Sequence, residues 1–273
     1  MEFAKKPNAR LLFLGTGGSM GIPVIGCSCK VCSSTNPKNQ RMRPSVLLQY
    51  SGKQVLIDCG PDFHAQALRF GIKHLDGLSL THAHNDHTAG LDELRALYMV
   101  NKTPMSCLLS KETKQDVVKR FDYMVKSYDH VQGAKPLVSK FEFVEIPSDT
   151  CQVNFLDVKW DVFSYHQMGM KVNGFRSGSF AYVTDIRDYD DRIFESLQNL
   201  DTLVVSALRF TPSPFHFSVD EAIEFIRKTG AKNAYLNHIA HELEHETAES
   251  YLPSGIHCAY DGLSLPINLH LNS

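Results

Sequence analysis

The sequence predicts an α/β fold in which β-sheets are sandwiched by helices. Three features carry that prediction. Apolar strands come in groups early in the chain, helical periods separate the later ones, and isolated histidines and aspartates fall where apolar strands end. Leu11 to Leu14 is the first strand. It runs into Gly15-Thr16-Gly17-Gly18-Ser19, which reads either as a plain tight turn or as backbone able to approach an anion closely. Val46 to Tyr50 and Gln54 to Asp58 form a hairpin about Ser51-Gly52, and Pro61 opens a helix covering Phe63, Ala67, Leu68 and Phe70. Leu78 to Leu80 ends a buried strand, and Leu91 to Met99 has helical spacing. A strand near Cys107 to Leu109 and a surface helix at Lys111 to Asp122 follow, while Tyr123 to Pro136 has no period and reads as a segment over a cleft.

Further strands are predicted at Phe141 to Ile146, at Val158 to Phe163 just before His166, and at Phe180 to Thr184, which ends at Asp185. A helix near Asp191 to Leu197 leads to a strand at Leu203 to Ser206. Val219 to Lys228 is an amphipathic helix with Ser218 as N-cap and Glu221 three residues on. Ala234 to Leu236 is a strand ending at His238, Glu242 to Ser250 is helical, and Cys258 to Tyr260 is a last strand. No repeat, low-complexity run or linker intervenes, so residues 1–273 read as one domain.

The composition is that of a soluble globular protein, with 43% hydrophobic and 21% charged residues. A formal charge of −2 argues against nucleic acid or a membrane surface as a bulk partner. No apolar run approaches the roughly 18 residues that span a bilayer, and the polar stretch Met1 to Arg10 lacks a signal-peptide core. A cytoplasmic location is expected. Of seven cysteines, three crowd into Cys27-Ser28-Cys29-Lys30-Val31-Cys32. In a reducing compartment that cluster reads first as a metal site, with a redox or iron–sulfur site as the alternative.

Thr81-His82-Ala83-His84-Asn85-Asp86-His87 puts three imidazoles and a carboxylate on a strand-to-helix turn. Imidazole nitrogen and carboxylate oxygen are the ligand types for zinc and similar ions. His166, Asp185 and His238 each follow an apolar strand, and ligand sites in layered α/β folds collect at strand ends. Alone, His166 would read as an ordinary surface or core histidine. Together these seven groups exceed one tetrahedral ion and suit two ions sharing a bridge.

The T-H-x-H-x-D-H run, Leu56-Ile57-Asp58 before it, and the later His, Asp and His resemble the metallo-β-lactamase superfamily. Gly15-Thr16-Gly17-Gly18-Ser19, Gly21-Ile22-Pro23, Cys27-x-Cys29-x-x-Cys32 and Asn237-His238-Ile239-Ala240-His241-Glu242-Leu243 narrow the resemblance to PhnP-type phosphodiesterases, which open cyclic ribose phosphates. The resemblance spans Leu11 to Gly262 and implies an αββα sandwich of two mixed sheets flanked by helices. It implies that His82, His84 and His166 hold one divalent ion and that Asp86, His87 and His238 hold another. Asp185 would bridge the two, which would be zinc or manganese. Cys27, Cys29, Cys32 and His241 would hold a separate structural zinc. A hydroxide bridging the two ions would attack a small phosphodiester. His216 would be catalytic without being a ligand, suited to protonate the leaving oxygen, and Asp86 is counted with the catalytic residues too. Asp58 would orient a ligand histidine, and Gly17, Gly18 and Ser19 would meet the substrate. A homodimer is left open. Competing functions are a tRNA 3′-end nuclease of the RNase Z kind, a PqqB-like cofactor-biosynthesis oxygenase, and a metal-holding protein without turnover. The first of these usually carries a protruding basic arm, which is not seen here, and the intact H-x-H-x-D-H run argues against the second.

Overall fold

The computed structural model describes residues 6–125 and 140–272. From residue 126 onward, the aperiodic segment expected over a cleft lies outside the described residues. Fourteen strands are described: β1 (Ala9–Gly15), β2 (Ser45–Tyr50), β3 (Lys53–Ile57), β4 (Gly77–Ser79), β5 (Met105–Ser110), β6 (Phe141–Ile146), β7 (Thr150–Phe155), β8 (Val158–Gln167), β9 (Met170–Ser177), β10 (Phe180–Val183), β11 (Thr202–Ser206), β12 (Asn233–Asn237), β13 (Ile256–Cys258) and β14 (Ser264–Ile267). The helices are α1 (Phe63–Phe70), α2 (Asn85–Thr88), α3 (Leu94–Asn101), α4 (Lys111–Arg120), α5 (Asp122–Val125), α6 (Ile193–Ser196), α7 (Val219–Thr229) and α8 (His245–Tyr251). Among the described residues no helix is long and apolar enough to cross a membrane.

One sheet has the order β14-β1-β2-β3-β4-β5-β6 and the other β13-β12-β11-β10-β9-β8-β7. Both sheets are mixed in the same way. β14 to β3 pair antiparallel and β3 to β6 parallel; β7 to β10 pair antiparallel and β10 to β13 parallel.

Alternation along the strands sorts side chains into three apolar layers. Leu11, Phe13, Val46, Leu48 and Ile57 of the first sheet meet Trp160, Val162, Phe175 and Tyr182 of the second. On the far side of the first sheet, Leu47 and Leu56 pack with Phe63 of α1, Leu94 of α3 and Val117 of α4. On the far side of the second sheet, Phe163, Tyr165, Val183 and Val205 pack with Val219, Ile223 and Ile226 of α7. This is the αββα sandwich. The capping box at Ser218 and Glu221 is formed as expected.

Several elements differ from expectation. β7, β9 and β14 escaped the sequence reading. The helix expected near Asp191 to Leu197 is the single turn α6, and the one expected from Leu91 begins as a 3-10 turn, Leu91–Glu93, before α3. β8 does not stop before His166; it runs through it to Gln167 and turns back into β9 at Met168-Gly169.

The parallel strands deliver their carboxyl ends to one edge of the sandwich. Asp58 follows β3, Thr81-His82 follows β4, Asp185 follows β10 and His238 follows β12. The two sheets are tied there by buried Asn173 of β9, whose N–H and side-chain amide both donate to the Thr81 carbonyl, at 2.9 and 3.0 Å. The turn carrying α2 is held against the end of β3 by Cys59 N–H to His87 carbonyl (2.8 Å) and Gly90 N–H to Cys59 carbonyl (2.9 Å). Gly60 permits that approach: a Cβ there would lie 2.1 Å from the Asp86 carbonyl oxygen. Gly60→Ala must push α2 away from β3, so we expect a loss of roughly 1–3 kcal/mol in unfolding free energy, read by chemical denaturation of metal-free protein. An unchanged denaturation midpoint would refute this packing account.

Candidate metal centre

The histidine-rich turn projects its groups inward from α2 and the residues before it. His82 and His87 are fully buried, Asp86 is 8% exposed and His84 is half-buried. His82 Nε2 lies 2.9 Å from His84 Nδ1, and Thr81 Oγ1 lies 3.0 Å from His82 Nδ1. Arg120 of α4 clasps the same turn, donating to Asn85 Oδ1 at 2.7 Å and to the Ala83 carbonyl. Asp58 accepts from His87 Nδ1 at 2.7 Å and from both the backbone and the hydroxyl of Thr81. Asp58 therefore orients His87 and leaves its Nε2 facing the other side groups.

Those groups arrive from the second sheet. His87 Nε2 is 3.1 Å from Asp185 Oδ2 and 3.4 Å from Asp86 Oδ2, and His238 Nε2 is 3.2 Å from both Asp86 Oδ2 and Asp185 Oδ1. Asp185 thus stands between His87 and His238. Two ligands at roughly 2.0–2.1 Å from one tetrahedral ion sit about 3.3 Å apart, so these separations are those of groups that can share ions. A chemical sign points the same way: His87 Nε2 is buried and makes no hydrogen bond among the described residues. Asp86, His87 and His238 fit a divalent ion, and Asp185 reaches both this set and His82.

His166 is not brought to this cluster. Its backbone is locked by Asp188, with His166 N–H donating to the Asp188 carbonyl at 2.8 Å and Asp188 N–H returning at 2.9 Å. The alternation of β8 leaves the His166 side chain exposed and turns Gln167 inward instead. The expectation that β8 ends before His166 misplaced the phase of that alternation. Gln167, buried at 5% exposure, has its amide nitrogen 3.3 Å from Asp185 Oδ1. Sequence reasoning missed it, and the signal that could have found it was the apolar pair Phe163 and Tyr165 at the same phase.

The glycine turn also differs from an anion cradle. Gly17 N–H donates to the Met42 carbonyl and Gly18 N–H to the Ile239 carbonyl, at 2.8 and 2.9 Å, so neither is left to meet a phosphate. Gly18 instead allows close approach, since a Cβ there would lie 3.4 Å from the His238 ring. Ser19 does line a cavity of about 270 Å³, with Gly18, Met20, Leu208, Phe215 and His216. A larger, open groove of about 630 Å³ between α7 and the end of α8 is lined by no imidazole or thiol.

His216 hangs on the loop between β11 and α7. Its ring stacks on that of His238, 4.7 Å between centroids, and its Nδ1 is 3.4 Å from Asp185 Oδ1. Burial and the neighbouring His238 lower its pKa to about 4.

A second cluster lies three residues beyond His238. The sulfurs of Cys27, Cys29 and Cys32 are 3.3, 3.4 and 3.5 Å from His241 Nδ1. With Zn–S near 2.3 Å and Zn–N near 2.0 Å, the sulfur–nitrogen edge of a tetrahedron is about 3.5 Å. The four groups therefore fit one closed zinc site. The Cys32 N–H donates to Cys29 Sγ and the Val24 N–H to Cys32 Sγ, as second partners of bound thiolates do. The Cys32 N–H and His241 lower the Cys29 pKa to about 6, while loss of solvation raises that of Cys32 to about 11. Cys29→Ser should release about one zinc and lower the thermal midpoint, because a structural ion contributes folding free energy directly. Protein carrying no zinc beyond the histidine–aspartate cluster would overturn this assignment.

The carboxylates set the proton inventory. Burial opposes charge on His87 and His238, yet Asp86 and Asp185 outweigh it and raise both imidazoles above their ordinary range; Asp58 adds to the effect at His87. Burial and the nearby His87 lower His82 well below that range. Without a metal the carboxylates thus favour the charged forms of His87 and His238, whose protons ligation must expel, and burial disfavours the charged form of His82. We expect metal loading to release imidazole protons and to weaken as pH falls. Calorimetry in buffers of different ionisation enthalpy reads this release, and release of none would contradict it.

Residues 53–239 match the beta-lactamase superfamily domain. Over 262 residues, 95% of its length, the chain is 30% identical to a Porphyromonas gingivalis protein named octanoyltransferase, of which it spans 52%. It is 42% identical over 64 residues to a ribonuclease Z of Bradyrhizobium diazoefficiens, which is 23% of this chain and 21% of that protein. The chain thus spans about half or less of the length of these curated relatives. Among solved structures, a diphosphatase of the PhnP family superposes with a TM-score of 0.87 at 37% identity, covering 96% of this chain and 99% of that one. Zinc-bound PqqB from Methylobacterium extorquens shares the fold at a TM-score of 0.74 and 18% identity, over 94% of this chain and 99% of that one. The chain belongs to the PhnP family of the metallo-β-lactamase superfamily.

Proposed function

We propose that the chain hydrolyses a small phosphodiester, such as a ribosyl cyclic phosphate, and works in a reducing cytoplasm that suits its seven free cysteines. The observation that carries this reading is the position of His216, which touches Asp185, stacks on His238 and lines the adjoining cavity. His82, His84 and Asp185 would hold one ion, and Asp86, His87, His238 and Asp185 the other; zinc and manganese both suit these donors. When bound, such a pair supplies Lewis acidity to phosphoryl oxygens and an activated water. Asp58 keeps the His87 proton on Nδ1, so that Nε2 is free to ligate. His216 donates its N–H to the departing oxygen and stabilises the charge that develops there. At its lowered pKa the ring is neutral near pH 7, but a neutral imidazole still carries one N–H, enough to serve a developing oxyanion.

Ribonuclease Z activity is the second reading, favoured by several curated relatives of that name. Their matches cover 46% of this chain or less, against the nearly full overlap with the PhnP-family structure. A panel of cyclic ribose phosphates, linear diphosphate esters and precursor tRNA separates these readings, and cleavage of precursor tRNA alone would reverse our preference. Within that panel, His216→Ala should keep metal content normal and slow a cyclic ribose phosphate by roughly 10²–10⁴. A nitrophenyl ester, whose leaving anion needs little protonation, should lose far less. Equal losses on both substrates would remove His216 as the acid.

A further inference from the structure

The β8–β9 hairpin closes through Met168 and Gly169, both at positive φ (49° and 79°), so its two-residue turn fixes the direction of the residue before it. That residue is Gln167. Its Nε2 lies 3.3 Å from Asp185 Oδ1, 3.3 Å from the Phe215 carbonyl, and 3.0 and 3.2 Å from Nε2 and Nδ1 of His216. Its Oε1 is buried and has no hydrogen-bond partner among the described residues.

His216 needs a fixed neighbour. It belongs to the loop that leaves β11, not to a sheet or helix, and its exposed neighbour Phe215 offers no buried anchor. Stacking on His238 restrains the plane of the ring but not its rotation about the stack. An amide between the ring, the Phe215 carbonyl and Asp185 restrains that rotation, and it carries its donors whatever the pH.

We propose that Gln167 is a positioning residue for His216, tying the imidazole to Asp185 so that its proton faces the leaving oxygen. This rests on the reading of His216 as the acid. Gln167 would act on the reaction only through His216, so the two residues should behave as a unit.

The test uses the full chain with its metals. Gln167→Met keeps length and shape but removes the amide; Gln167→Glu keeps a polar group of the same size but cannot donate as the amide does. Both should retain metal content. Each should slow a cyclic ribose phosphate about 10–100-fold, in kcat more than in KM, because small misplacements of a reacting group cost that much. The nitrophenyl ester should change by less than about threefold, within the scatter of uncoupled substitutions. Gln167→Asn, which keeps the amide on a shorter arm, should recover part of the loss. Imidazole NMR correlations of His216 should broaden in Gln167→Met, a readout independent of turnover. The double variant Gln167→Met/His216→Ala should be no slower than His216→Ala alone. Additive losses in the double variant, or equal losses of Gln167→Met on both substrates, would overturn the proposal while leaving His216 as the acid. Equal losses of His216→Ala on both substrates would overturn that reading and this proposal together.

Discussion

Everything at the carboxyl edge of the sandwich depends on burying opposite charges together. Asp58, Asp86 and Asp185 and the imidazoles of His82, His87 and His238 are each 8% exposed or less. A lone buried carboxylate would be prohibitive, and a pair survives only when hydrogen bonds complete it. His87 meets this need at Nδ1, where Asp58 accepts at 2.7 Å, while its Nε2 faces the Asp185 carboxylate at 3.1 Å as an ion pair. Asp86 and Asp185 raise the pKa of both His87 and His238, so protons on these imidazoles oppose the carboxylate charge as divalent ions would. The same electrostatics makes a metal compete with protons for these imidazoles.

The backbone is arranged to bring these groups together. Asp58, Asp185 and His238 lie at φ 63°, 53° and 60°, in the left-handed region, one residue or two after a strand ends. Such residues cost about 1–3 kcal/mol unless held, although Asp and His tolerate the region better than most. Here they are held: Asp58 N–H donates to the Ser79 carbonyl, Thr184 Oγ1 donates to Asp185, and the residue after His238 pairs with Thr16. The left-handed step ends the strand and lets a side chain that would have followed the pleat reach toward the facing sheet. Two sheets with matching pairing patterns thereby contribute one half-site each.

Much of this was legible in the sequence. The compact His-x-His-x-Asp-His run and the single polar residues after β10 and β12 stand out because apolar strands precede them, and the CxCxxC cluster stands out by spacing. Most of what stayed hidden is governed by non-local pairing. β7 alternates Cys151, Val153 and Phe155 with Gln152 and Asn154 and was legible in its own pattern, whereas β9 has a broken alternation, since Lys171 and Asn173 share a phase with buried Phe175. The error at His166 is of the same kind. A strand extended by two residues changes which of two neighbours faces inward, and hairpin register with β9, not local composition, sets that length. Asn173 and Gln167 were passed over because amides carry no charge and bind metals weakly, although one joins the sheets and the other touches two site residues. The glycine turn was read for its N–H groups, whereas its packing against His238 and Arg41 is what the missing side chains serve.

The two clusters are mechanically one. From His238 to His241 the chain alternates between them: His238 enters the histidine–aspartate cluster, Ile239 is fully buried, Ala240 N–H donates to the Leu208 carbonyl at 2.9 Å, and His241 meets the three thiols. Ile239 gives and takes one hydrogen bond each with Thr16 and Gly18, so this segment and the glycine turn form a short clasp. The cysteine loop leaves that same turn, its Val31 and Cys32 packed into the layer under α7. A zinc closing Cys27, Cys29, Cys32 and His241 would therefore lock the far end of the clasp whose near end orients His238. It would also fix Leu208, on the loop that carries His216. A structural ion so placed needs no contact with substrate to matter for catalysis. It acts by removing the freedom of a four-residue segment whose first residue is a ligand, and catalytic geometry is lost over shifts of about 1 Å.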